Sequence, residues 1–136
     1  MVSRARFLAI GGWDEGASRL VGCDFATVLR VACAAPLGVV HRPLVGIRKH
    51  AGNFSGDTER MNLGDANVLD YLMATRPELG LHRAAILASM GARRGDAMDS
   101  AFGRNDFCAV RDIYRLLLPD QKSGRRRIKR VLSMGR

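Results

Sequence analysis

The side chains with the clearest chemistry lie in one run at the C-terminus, Lys122 to Arg136. It reads KSGRRRIKRVLSMGR and holds Lys122, Arg125, Arg126, Arg127, Lys129, Arg130 and Arg136, with no acid among them. The chain as a whole carries a net charge of +9, yet residues 1–121 hold fifteen basic and thirteen acidic groups and account for only +2. Like charges packed this densely repel one another, and such a block ordinarily meets an anionic partner. Guanidinium and ammonium groups in a row displace counterions from phosphates, so the expected partner is nucleic acid, DNA or RNA. Of the 22 basic residues 19 are Arg, the side chain that grips phosphate with two parallel hydrogen bonds. A GC-rich coding sequence would enrich Arg equally, so this preference decides nothing by itself.

A helix over Arg125 to Met134 would gather Ile128, Val131 and Leu132 on one face. The expectation is that this face docks on the core and leaves the basic sides in solvent. An amphipathic helix on anionic lipid is the rival, ranked lower because the apolar face is only about three residues wide and has no Trp or Phe.

Arg93 and Arg94 are weaker candidates for the same chemistry. They fall in Ala92-Arg93-Arg94-Gly95, between a helix ending at Met90-Gly91 and a second one beginning at Asp96. That outline matches a helix-turn-helix, with both arginines beside the second helix. Three residues argue against it. Leu87 stands where a small residue is expected, Ser100 where an apolar one is expected, and Asp96 with Asp99 would repel DNA. A plain helical hairpin is the expectation.

Catalytic and metal chemistry find less support. Cysteine and histidine occur at 23, 33, 41, 50, 82 and 108, without the tight pairs that hold a structural zinc ion. No metal site and no cofactor is expected, since no glycine-rich loop has nucleotide-binding spacing. Cys23 near a helix start, with His41 or His50 downstream, supplies the parts of a small cysteine hydrolase. Nothing marks an orienting third residue or an oxyanion hole, so the chain is read as a non-enzyme and the hydrolase as a minor alternative. The three cysteines sit among apolar residues and cannot all pair, which points to a reducing compartment.

These residues must be positioned by helices. Phe25, Val28, Leu29 and Ala32 recur at helical spacing and predict a helix over 24–35, stopped by Pro36. Further helices are predicted over 65–75, 81–90, 96–102 and 106–118, with Val68, Leu69, Leu72, Val110, Tyr114 and Leu117 in the core. Short strands are expected in the N-terminal third, at Arg6 to Ile10 and in Leu37 to Lys49, where Pro43 confines them to an edge. Residues 52–64 read as a loop.

A chain of 136 residues, 47% apolar and 26% charged, is of single-domain size and can bury a core. No run approaches a membrane span, and Phe7 to Ile10 is too short for a signal-peptide core. The fold class expected is mainly α: one compact helical domain over 1–121, with 122–136 as a basic arm. The function expected is non-enzymatic nucleic-acid binding through that arm, with little sequence readout. The alternative is a structural subunit of a virion or other nucleoprotein assembly. The setting expected is intracellular and reducing, or inside a particle, without secretion.

Overall fold

The structure, a computed structural model, describes residues 2–135 except 49, 51, 54 and 55. Ser3 opens the first helix, α1 (Arg4–Ala9), by accepting the Arg6 amide on its hydroxyl at 3.3 Å. A strand is expected here from the sequence. A capping serine ahead of good helix formers, with no strand nearby to pair, gives a helix instead. Gly11 and Gly12 end it at φ 87° and 67°, a left-handed backbone that side chains rarely adopt.

The second helix, α2 (Cys23–Ala34), follows Gly22 and runs to the predicted stop. From residue 36 to 48 the backbone is irregular. Leu37, Val39, Val40, Leu44, Val45 and Ile47 all stand in solvent. The expected strand pair is absent, and the described residues contain no strand. β-Branched residues are not sufficient for one: a strand needs a neighbour's N–H and C=O groups, and Pro43 removes a donor within the run.

The Asp57 carboxylate accepts the Arg60 amide at 3.0 Å and starts α3 (Thr58–Thr75) well before Asp65. Residues 58–64 are therefore helix, not loop. Gly64 is needed where α3 passes Val21, since a Cβ there would lie 2.6 Å from the Val21 carbonyl oxygen. After a 3₁₀ segment (Pro77–His82), α4 runs unbroken from Arg83 to Gly103. The two helices predicted over 81–90 and 96–102 are one. No turn separates them, and the helix-turn-helix outline is overturned with the hairpin. The sequence misleads here because internal glycines disfavour a helix by about 1 kcal/mol each and resemble stops. Gly91 and Gly95 persist because the side chains of Gln121 and Arg126 occupy the space their Cβ atoms would take.

Asp106 caps α5 (Phe107–Leu116) by accepting the Ala109 amide at 3.0 Å. A 3₁₀ turn (Pro119–Gln121) leads to α6 (Gly124–Leu132). The architecture is thus mainly helical, with six α-helices among the described residues. None is long and apolar enough to cross a membrane.

α3 and α4 form an antiparallel pair, fastened by ion pairs from Glu59 to Arg104 and from Asp65 to Arg93. Two apolar clusters flank this pair. Val68 and Leu72 of α3 meet Ala26 of α2, Ala17 and Leu79 in one. Ala97, Met98 and Ala101 of α4 meet Val110, Ile113, Tyr114 and Leu117 in the other. The six core residues predicted from periodicity are all buried.

Candidate phosphate-binding surface

α6 is amphipathic, but it docks with its polar side inward. At about 3.6 residues per turn, Arg126, Lys129 and Ser133 share one face. Lys129 Nζ lies 2.7 Å from Asp99 Oδ1 of α4 and 5.1 Å over the Phe102 ring. Only 13% of the Lys129 side chain is exposed. The Arg126 guanidinium lies across Gly95 and donates to the Gln121 carbonyl at 2.8 Å. Ser133 is fully buried, and its carbonyl accepts from Arg111 of α5. Gln121 closes the joint: its amide nitrogen donates to the Leu87 carbonyl at 2.9 Å, and its oxygen accepts the Leu118 amide at 3.1 Å.

The apolar face therefore points outward. Ile128, Val131, Leu132 and Met134 are 62%, 64%, 56% and 64% exposed. This reverses the expectation that the row docks on the core. The stretch read as an arm is a docked helix, and the structure engages its cations unequally. Arg126 and Lys129 are committed to α4. Lys122 and Arg130 both sit over the Tyr114 ring, at 5.1 and 5.0 Å, a cation–π arrangement that leaves Arg130 exposed. Arg127 donates from Nε to the Lys122 carbonyl at 3.0 Å and is otherwise exposed. Arg125 keeps 77% of its side chain in solvent, with a long 3.6 Å approach to Asp99. Arg136 lies outside the described residues.

Arg93 and Arg94 are drawn into the helix packing. Arg93 pairs with Asp65 and stacks 5.2 Å from the Phe25 ring centroid. Arg94 is buried and donates to the Leu116 carbonyl at 3.0 Å, which satisfies the last turn of α5 and complements its dipole. Its other guanidinium nitrogen stands 3.7 Å from Asp70.

One cluster escapes the sequence altogether. The Asp14 carboxylate is buried and accepts from the Tyr71 hydroxyl at 2.9 Å, Arg76 at 3.1 Å, the Ala17 amide at 3.3 Å and Arg30 at 3.5 Å. Burial pushes the Asp14 carboxyl up, but the hydrogen bonds from Tyr71, Arg76 and Ala17, with the Arg30 charge, outweigh it and hold it below the usual carboxylate range. The Tyr71 hydroxyl is held above its usual range, first by that bond and then by burial. Trp13 to Gly16 reads as a turn, and no spacing in it announces partners so far down the chain. Arg30 and Arg76 also border a cavity of about 240 Å³ walled by Leu29, Leu72 and Leu79.

The thiols are free, with Cys33 and Cys108 exposed rather than apolar-packed and Cys23 half-buried beside Leu20 and Phe25. Among the described residues no hydrogen bond joins Cys23 to His41 or His50, and no group of three or more acidic, Cys or His side chains is placed to hold a metal. The surface with the strongest unspent chemistry is the outer side of α6. No protein-family model, characterised protein or solved structure matches this chain.

Proposed function

We propose that the chain is a non-enzymatic nucleic-acid-binding protein that contacts phosphates through the outer cations of α6, with little sequence readout. The observation that carries this is the exposure of Arg125, Arg127 and Arg130 along a nine-residue helix that contains no acid. The outward face of α6 carries Ile128, Val131 and Leu132, which offer no donor or acceptor to base edges, so affinity comes from counterion release at the arginines. Each phosphate neutralised on duplex DNA contributes a slope of about −0.9 in log K against log salt, so these three arginines account for roughly −2.7. Replacing Arg125, Arg127 and Arg130 together with Gln flattens the measured slope by about that amount, whatever the duplex sequence. An unchanged slope would refute the assignment.

Membership of a larger nucleoprotein assembly, such as a virion, is a second reading. It rests on the six large apolar side chains exposed between residues 37 and 47, which protein neighbours would cover. Light scattering on the native particle tests it, and a monomer mass would count against it.

A further inference from the structure

Phosphate binding leaves the outward apolar row of α6 without a purpose. Ile128, Val131 and Leu132 stand at i, i+3 and i+4 and form one continuous stripe. At about 3.6 residues per turn, Arg125 and Arg127 border that stripe on opposite sides. The orientation is fixed by the inner face, where Lys129 is tied to Asp99 and Arg126 fills the cleft at Gly95. The helix is held so that its apolar side is what a partner meets first.

From this geometry we infer that α6 is an interfacial anchor for an anionic bilayer. The stripe enters the headgroup boundary in the plane of the membrane, and Arg125 and Arg127, one on each side of it, engage lipid phosphates. Arginine suits the role, because its stem lies along apolar surface while the guanidinium reaches the headgroups. Charge selects this occupant over a second copy of the chain. Two α6 helices face to face would bring these arginines against their own counterparts, with no acid on either helix. The other exposed apolar segment, residues 36–48, also lacks an acid and carries Arg42 and Arg48, so it is no better a cover. The inference does not depend on nucleic-acid binding, since the arginines serve either phosphate while the stripe serves only the lipid.

The test uses the full chain and co-sedimentation with vesicles of phosphatidylcholine, with and without about a third phosphatidylserine. The variant Ile128→Ser, Val131→Ser, Leu132→Ser removes the stripe at positions exposed in the fold, and circular dichroism checks that the helices remain. The wild type is expected to bind the anionic vesicles and hardly the neutral ones. The triple variant is expected to bind the anionic vesicles about tenfold more weakly, because interfacial affinity scales with buried apolar area, while its affinity for DNA changes less than about twofold. Equal vesicle binding by the variant would overturn the anchor and leave only charge adsorption. So would absence of wild-type binding to anionic vesicles at low salt. A wild-type dimer in the ultracentrifuge that the triple variant dissociates would assign the stripe to a second copy instead. Absence of salt-dependent DNA binding by the wild type, with vesicle binding retained, would remove the nucleic-acid reading and leave the anchor standing.

Discussion

Asp14 shows what a single carboxylate can organise. It gathers Tyr71 of α3, Arg76 beyond it and Arg30 of α2 around one buried turn. Replacing it by Asn removes the charge that two guanidiniums answer. Breaking a fully buried pair costs about 3–5 kcal/mol. Arg76 is 33% exposed and solvent screens it, so Asp14→Asn should cost about 2–3 kcal/mol in urea unfolding. The pH dependence has a definite sign. The folded carboxyl titrates below its unfolded value, so its contribution is complete above about pH 4 and is lost as pH falls through the folded value. Below about pH 4 the wild type should therefore lose stability more steeply than Asp14→Asn, as acid titration of the unfolding midpoint would reveal. Two glycines make a second contrast. A Cβ at Gly64 meets the Val21 carbonyl, which cannot yield, and Gly64→Ala should destabilise by about 1–3 kcal/mol. A Cβ at Gly95 meets only the end of the Arg126 side chain. There the gain in helix propensity, about 1 kcal/mol, offsets the lost contact, and Gly95→Ala should fall within about 1 kcal/mol of wild type. Neither glycine's role is legible in sequence, because the residues that crowd it come from elsewhere in the chain.

The helices themselves were legible where a cap and a periodic face coincided. Asp106 with Val110, Tyr114 and Leu117 places α5 almost to the residue, and the stripe of Phe25 and Leu29 places α2. Legibility failed where tertiary packing decides. α4 is continuous because Gln121 and Arg126 fill its glycine notches, and no local signal reports that. The sequence marks α6 as an amphipathic helix, yet its orientation is the reverse of what the apolar row implies. An apolar row normally turns inward, but Asp99 and the notch at Gly95 on α4 draw Lys129 and Arg126 inward instead. Asp99, which by sequence reads as a group that repels DNA, is instead what Lys129 grips. Asp99→Asn should loosen α6 from α4, seen as faster amide hydrogen exchange at residues 127–132 with α3 and α5 unchanged. Leu72→Ala addresses the other cluster. Leu72 is fully buried, and its truncation should cost about 2–5 kcal/mol, read as a lower urea midpoint.

Across the molecule the charge is unevenly divided. The N-terminal 121 residues nearly neutralise themselves through pairs such as Arg104 with Glu59 and Arg93 with Asp65, while α6 keeps Arg125, Arg127 and Arg130 exposed. The sequence made that division visible as a count. It does not show that Arg126 and Lys129 are structural, nor that the apolar row of the same helix faces outward. The irregular segment from 36 to 48 adds exposed apolar side chains on a stretch that composition alone would assign to strands.

The order of helices in space largely follows their order along the chain: α2 packs on α3, α3 on α4, α4 on α5 and α5 on α6. Such a chain closes mostly short loops on its way to the native state. Domains dominated by neighbouring contacts collapse and fold on a timescale of roughly microseconds to milliseconds. The α3–α4 hairpin can zip first and offer the notches at Gly91 and Gly95 before residues 121–129 arrive to fill them. During synthesis from the N-terminus, α6 emerges after α4 and α5, so the surface that seats it can form before it arrives.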